Sequence, residues 1–354
     1  MITRIIIKVK GRETSMTGKR NKISIIALLL LTVTLILSAC GGTATHTQPA
    51  AEPKAPTQAA AQSAPSTKPV EDVKTEYTVK HAMGETKIKG TPKRVVVLGN
   101  DAVEAALELG FKPVGMVKAW GVAPMYDHLK SKLEGVQIVG DENQPNLEAI
   151  AALKPDLIIG IKLRQEKIYD QLSSIAPTVF SERTNSDMLI NFKVYSEALN
   201  KKAEGEQKIA DYEKRIKELQ SKLGERINTK ISLVRFYLGD KVRIYYKDTF
   251  AGGIIQKIGL KRPAAQDKDT FADIIGKERI PDLEGDILFY FTLEDDKGET
   301  TKAEKEWQQE TLWKNLDVVK KGNAHKVNDG IWNSSGGIIS ANLLLDELTK
   351  YLIK

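Results

Sequence analysis

The chain has one cysteine among its 354 residues, Cys40. A lone cysteine excludes an internal disulfide and leaves no thiol pair for redox work or zinc. Histidine is nearly as scarce: His46, His81, His128 and His325 are scattered, and none falls at an i, i+4 or similar ligand spacing. Direct capture of zinc or manganese by the bare protein is therefore not expected. The Gly-x-Ser-x-Gly, Walker A and Gly-x-Gly-x-x-Gly patterns are absent. Val95-Val96-Val97-Leu98-Gly99 has the apolar run of a nucleotide-binding strand without the glycine series that follows one. Asp295-Asp296-Lys297-Gly298-Glu299 lacks calcium-loop spacing and reads as a solvated turn. No motif assembles a nucleophile with a base, so no enzyme is expected and no cofactor is implied.

Long apolar runs are also rare. The one that stands out, Ile23–Leu37, follows the basic stretch Thr17–Lys22 and precedes Leu37-Ser38-Ala39-Cys40. A membrane span needs about 20 apolar residues, so this shorter run reads as the core of a secretory signal, residues 1–39. The basic, apolar prefix Met1–Ser15 does not fit a signal, which places the start of translation at Met16. Leu-Ser-Ala-Cys resembles a bacterial lipobox, in which the cysteine receives a diacylglycerol and becomes the new N-terminus. Cys40 is thus the expected lipidation site. Removing residues 1–39 also removes the basic excess. Taking its seven basic and one acidic residues from the 53 and 46 of the whole chain leaves 46 and 45, a net of +1. The sequence pI of about 9.1 then reports the signal, and nucleic acid loses its support as a partner. Residues 40–76, rich in Ala, Pro, Thr, Gln and Ser, have too few large apolar residues to offset ordering entropy. They read as a flexible tether.

What remains, 77–354, is long for one core and comfortable for two. Tyr77–His81 and Glu85–Lys89 read as a hairpin, and Arg94–Leu98 as a strand buried on both faces. Strands at Pro113–Val117, Gln137–Val139, Asp156–Ile161 and Pro177–Phe180 alternate with helices at Asp101–Leu109, Asn146–Leu153, Lys167–Ala176 and Met188–Leu199. That alternation is the grammar of a parallel-rich α/β lobe. In Ala203–Arg226, the residues Ile209, Tyr212, Ile216, Leu219, Leu223 and Ile227 recur at steps of three and four. Acid-first pairs four residues apart (Asp211/Arg215, Glu213/Lys217, Glu218/Lys222) support an exposed long helix. The α/β grammar then restarts. Ile231–Tyr237 and Lys241–Tyr246 are strands joined around Gly239-Asp240, and Phe250–Ile258 is a helix. Ile287–Phe291 is a buried strand, Glu306–Asp317 leads through Val318–Lys321 to the strand His325–Val327, and Ile338–Leu352 is the last helix. The expected class is α/β: a first lobe at 77–202, a bridging helix at 203–226, a second lobe at 227–354 and a ligand cleft between the lobes.

Cations and aromatics gather at expected strand ends and loops, where open α/β sheets bind ligands. They are Lys118 and Trp120, then Arg164, then Arg235 with Tyr237, Arg243 with Tyr245, and Trp332 with Asn333. Taken singly, each reads as a snorkelling surface cation or a core aromatic. Together they outline a cleft for an acidic ligand with apolar parts, since the arginine fork meets carboxylates bidentately.

These segments resemble the iron-siderophore substrate-binding lipoproteins of Gram-positive ABC importers, the family of ferrichrome-, vitamin B12- and iron-citrate-binding proteins. The matching residues are Thr91–Leu98, Asn146-Leu147-Glu148-Ala149-Ile150, Leu153–Ile159, Val242-Arg243-Ile244-Tyr245 and Trp332-Asn333. The likeness is nearest to binders of citrate-hydroxamate siderophores such as schizokinen and to staphyloferrin A binders. It implies two α/β lobes joined by one long helix, a ferric siderophore as ligand with its iron already chelated, and no resident metal. It also implies a monomer that delivers to an ABC permease from the outer face of the cell membrane. By the same resemblance Arg164 meets the siderophore. Glu148 and Glu278 dock one lobe each on the permease, with Glu284 in reserve for the second. One departure matters: where staphyloferrin A binders have an arginine, this chain has Asp141-Glu142, an acidic pair that favours a less anionic, hydroxamate-bearing ligand. A receptor for iron-citrate, haem or a corrinoid, a surface α/β hydrolase, and a purely structural lipoprotein remain as alternatives.

Overall fold

Val95, Val96, Val97 and Leu98 are each at most 1% exposed. Four consecutive buried apolar residues need cover on both faces of a strand, which only a sheet sandwiched between helices supplies. The computed structural model describes residues 75–121, 123–182, 188–237 and 241–353. The signal segment, Cys40, nearly all of the expected tether and the Gly239-Asp240 turn lie outside the described residues.

The chain opens on the antiparallel hairpin β1 (Glu76–His81) and β2 (Gly84–Lys89). The first lobe follows with β3 (Val95–Val97), α1 (Asn100–Glu108), β4 (Gly115–Met116), β5 (Gln137–Ile138) and α2 (Leu147–Ala152). It continues with β6 (Leu157–Ile161), α3 (Lys162–Gln165), α4 (Tyr169–Ile175), β7 (Thr178–Ser181) and α5 (Met188–Ala198). Its sheet has the order β5-β4-β3-β6-β7 with every pair parallel. The order reverses at β3, so the crevice beside that strand, at the carboxyl ends, is where a ligand has room. Gly110, at φ 82°, ends α1 in the left-handed conformation that glycine adopts without strain.

The long helix α6 (Lys202–Leu223) leads to the second lobe. That lobe holds β8 (Ile231–Tyr237), β9 (Lys241–Tyr245), α7 (Phe250–Ile258), β10 (Ala272–Ile275) and β11 (Ile287–Thr292). It ends with α8 (Glu299–Gln309), α9 (Thr311–Asn315), α10 (Asp317–Lys320), β12 (Ala324–Lys326), a π-helical turn at Gly330–Ser334 and α11 (Ile338–Leu352). Its sheet, β10-β9-β8-β11-β12, is mixed: β11 runs parallel to β8 and β12, while β9 is antiparallel to β8 and to β10. The molecule is thus two α/β lobes bridged by one long helix.

The helix differs from expectation in its partners. Tyr212, Ile216, Leu219 and Leu223 are buried as the spacing implies, with Ile209 and Ile227 packed at the edge. The acid-first pairs do not close. Arg215 instead reaches Asp346 and Asn342 on α11, and Glu213 meets Lys257 on α7 at 3.6 Å. Asp211 accepts from Gln207, at 2.9 Å. Arg215 and Glu213 thus tie α6 to neighbouring helices, while most of its charged residues stay exposed, as the sequence implies. It also ends earlier than expected, where Gly224 takes φ 51° and the chain continues as a 3-10 turn to Asn228.

Candidate functional site

The carboxyl end of every strand in the first sheet delivers a side chain to one cleft. After β3 comes Asp101, after β4 Trp120, after β5 Glu142, after β6 Arg164, and after β7 Met188 and Asn191. The second lobe supplies Arg235 and Tyr237 from β8, Arg243 and Tyr245 from β9, Phe271 before β10, Leu293 after β11, and Asn333 to Gly336 before α11. The cleft encloses about 160 Å³. Pockets that bury drug-sized ligands hold about 300–1,000 Å³, so a ligand of that size requires side chains or lobes to give way.

The first-lobe wall is a hydrogen-bonded lattice around Glu142, which is 4% exposed. One carboxylate oxygen accepts from the Asn100 backbone N–H and from its Nδ2, each at 2.8 Å. The other accepts from the Trp120 indole Nε1 at 3.1 Å and lies 3.8 Å from Arg164 Nε. The Arg164 guanidinium stands 5.6 Å from the Trp120 ring centroid, in reach of a cation–π contact. Gln165, 1% exposed, fixes the lattice from below. Its amide donates to the Leu98 and Glu142 carbonyls at 3.1 and 2.5 Å, and its oxygen accepts from the Ile161 N–H at 2.7 Å. Three strand ends are thereby tied to one side chain.

Asp101 is 5% exposed. Its carboxylate accepts from Asn191 Nδ2 at 2.8 Å, Tyr195 OH at 3.1 Å and the Ala102 N–H at 2.8 Å. Burial pushes its pKa up to about 7, and the nearby Glu142 charge adds to the rise, while the hydrogen bonds from Asn191, Tyr195 and Ala102 oppose it.

In the second lobe Arg235 lies directly opposite Arg243 in the β8–β9 ladder, so the two side chains share a face. Two cations there repel unless something separates them. Asp329 does so for one of them. Arg235 donates Nε to Oδ1 at 2.6 Å and Nη2 to Oδ2 at 2.9 Å, and also reaches Tyr245 OH at 3.0 Å and Ser334 Oγ at 2.6 Å. Burial alone would lower the Arg235 pKa; the Asp329 charge and these bonds more than reverse it. Arg243 instead lies 4.0 Å over the Tyr237 ring and meets no carboxylate within ion-pairing distance among the described residues.

Of the residues anticipated from sequence, Trp120, Arg164, Arg235, Tyr237, Arg243, Tyr245 and Asn333 line the cleft. Two lie elsewhere. Trp332 is fully buried, its ring 4.4 Å from Phe289 and its Nε1 donating to Glu347 at 2.5 Å. It is core because the π-helical turn aims it inward while its neighbour Asn333 faces the cleft. Lys118 is exposed and borders a separate depression with Asp141 and Asn143. The acidic pair is split as well: Asp141 accepts from the backbone of Asn143 and Gln144, each at 2.9 Å, and only Glu142 faces the cleft. Sequence reasoning missed Asp101, Asn191, Phe271, Ser334 and Asp329. Among these only Asp101 carried a signal, as an acid opening a helix right after the central strand. Among the described residues no group of His, Cys, Asp or Glu is placed to hold a metal ion.

The sequence profile described as periplasmic binding protein matches residues 95–326. The chain belongs to the periplasmic binding protein family. Relatives within reach are informative. The probable siderophore-binding lipoprotein YfiY of Bacillus subtilis (strain 168) is 50% identical over 286 residues, 78% of this chain and 88% of that one. The Fe(3+)-citrate-binding protein YfmC of the same organism is 34% identical, over 75% and 83% of the two chains. Among solved structures, Staphylococcus aureus SirA in complex with staphyloferrin B superposes with a TM-score of 0.70. It is 37% identical and covers 78% of this chain and 98% of its own. Family membership agrees with the geometry, a binding cleft between two lobes.

Proposed function

We propose that this chain is the substrate-binding component of an ABC importer, receiving a ferric siderophore of hydroxamate or citrate-hydroxamate type and handing it to a permease. The observation that carries the reading is Arg243, a cation stacked on Tyr237 and, among the described residues, left without a carboxylate partner, while Arg164 and Arg235 in the same cleft are engaged. Such a group is arranged for an anionic ligand atom, and a charge-assisted hydrogen bond is the strong kind. Iron enters as cargo, already chelated, and the protein acts by binding alone. The relatives named for siderophores and for ferric citrate support the ligand class. Calorimetric titration with matched ferric and iron-free siderophores tests it. Tight binding of the ferric hydroxamate-bearing complexes is expected. Heat only with haem or a corrinoid would reject the reading.

The proposal includes an anchor and a dock. Cys40 is the lipidated residue, and Cys40→Ala should release the protein from the membrane or leave it unprocessed. Glu148 sits in the first turn of α2, behind the Asn146 cap that accepts from the Ala149 N–H at 2.9 Å. Glu278 sits in the first turn of the 3-10 segment Lys277–Leu283. Both are exposed, and each follows an edge strand of its own sheet, β5 and β10 respectively. Two separated carboxylates fix orientation on a basic partner and steer its approach. Glu284, the reserve, is otherwise employed: it accepts from the Asp317 and Val318 N–H groups at 2.8 and 2.9 Å, capping α10. Glu148→Arg with Glu278→Arg should leave siderophore affinity unchanged and cut cellular iron uptake, with the deficit shrinking as salt screens the exposed charges. Undiminished uptake would refute the dock and leave the binding function intact.

A further inference from the structure

Among the described residues, each wall of the cleft carries one charge that no opposite charge answers. On the second-lobe wall it is Arg243. Its neighbour Arg235 is bidentate on Asp329, and Arg164 across the cleft lies 3.8 Å from Glu142. On the first-lobe wall it is Asp101, whose hydrogen-bond partners are an amide, a phenol and a backbone N–H, all neutral. Among the described residues no Lys, Arg or His lies within ion-pairing distance of it. Both residues line the same cleft. Among the described residues, the cleft and the side chains that back it hold three arginines, Arg164, Arg235 and Arg243, and at least as many carboxyl groups: Asp101, Glu142, Asp329 and, bonded to Ser335, Glu104. An arginine-lined cleft would ordinarily be taken as a receptor for polyanions, but here carboxylates stand beside the arginines.

We propose that the cleft reads its ligand by two opposite poles, Arg243 over Tyr237 taking an anionic group and Asp101 taking a hydrogen-bond donor or an ammonium. It thereby selects ferric complexes of net charge near zero over polyanionic ones. This rests on the ferric-siderophore reading above and names the class within it. The selection is of the kind made by rejection. A polyanion placed across the cleft satisfies Arg243 and must then set a second negative group against Asp101 and Glu142, both nearly buried. A neutral or monoanionic complex avoids that encounter, and one with a free amine at the far end gains from it. Asp101 also hydrogen-bonds Asn191 and Tyr195 of α5 and shares its helix with Asn100 and Glu104. Glu142 from the loop after β5 adds a second negative charge nearby.

The test uses dissociation constants for the intact protein with four probes: a neutral ferric tris-hydroxamate, the same chelate bearing a free ammonium, a monoanionic ferric citrate-dihydroxamate and a trianionic ferric tris-catecholate. The wild type should bind the trianion at least about tenfold more weakly than the other three, a difference of about 1.4 kcal/mol. Asp101→Asn should narrow that gap and weaken the ammonium-bearing chelate. Arg243→Gln, at the half-buried opposite pole, should weaken the monoanion and spare the ammonium-bearing chelate. The second variant keeps the test open should the first fail to fold. A wild-type ranking indifferent to charge, or a ranking unmoved by Arg243→Gln, overturns the two-pole account while leaving a siderophore receptor. Failure to bind any of the four overturns both.

Discussion

The two walls of the cleft are built by different means. In the first lobe all strands run parallel, so their carboxyl ends lie along one edge, and the wall is made of residues just beyond them. In the second lobe β9 runs antiparallel to β8, so a strand pair itself faces the cleft and presents Arg235, Tyr237, Arg243 and Tyr245 from its surface. Loops offer reach but need anchoring, which Gln165 and Glu142 supply. A strand pair is rigid but sets like charges opposite each other, and Asp329 resolves that for Arg235 alone. The contrast between two neighbouring arginines, one pinned and one free, follows from this construction.

Breaking the pinned arginine should have the largest effect. Arg235→Ala leaves the largely buried Asp329 with only Ser334 as a partner, and loss of one half of a buried ion pair costs up to about 3–5 kcal/mol. Urea denaturation should show that loss with or without ligand. Arg235→Ala with wild-type stability would mean the pair is not buried as described. On the opposite wall, Asp101 sharpens the comparison through pH. Its folded-state pKa near 7 lies above the ordinary 3.8, so the folded protein holds this proton more tightly than the unfolded chain. Stability from this group is complete below about pH 4 and is lost as pH rises to about 7, by on the order of 4 kcal/mol as an upper bound. Asp101→Asn should therefore raise the melting temperature at pH 8 and give little or nothing at pH 4. An equal change at both pH values would show that burial is not what burdens the carboxylate. The smallest effect on stability, and the one most specific to binding, belongs to the free arginine. Arg243→Ala should shift stability by less than about 0.5 kcal/mol and weaken ferric-siderophore binding about 10- to 150-fold, the loss of one charge-assisted hydrogen bond.

Much of this was legible in the chain. Val95–Leu98 and Ile338–Leu352 have patterns that admit few alternatives, and the opening hairpin, the strands of the first sheet and α6 fall where periodicity puts them. The strand β10 was not legible: Ala272-Asp273-Ile274-Ile275 is an edge with Ile274 exposed, so it shows no inward–outward alternation. Trp332 misled because a buried and a cleft-facing residue sit side by side on a π-helical turn, a local geometry no period encodes. Alternation along β8 and β9 put Arg235 on one face with Tyr237, and Arg243 on one face with Tyr245. It could not show that Asp329, far along the chain, would claim only one of the two arginines. Nor could it separate Asp101 from the many acids that merely open helices. Ion pairing between remote segments is decided by packing, which local sequence patterns do not encode.

Three of the four tryptophans, Trp307, Trp313 and Trp332, are core residues, and Trp120 alone lines the cleft. Titrating the protein with a ferric citrate-hydroxamate complex while following tryptophan fluorescence therefore tests the central claim most directly. Saturable quenching is expected, which Trp120→Phe largely abolishes and the iron-free siderophore does not reproduce. Quenching that survives Trp120→Phe undiminished, or that never saturates, would contradict it.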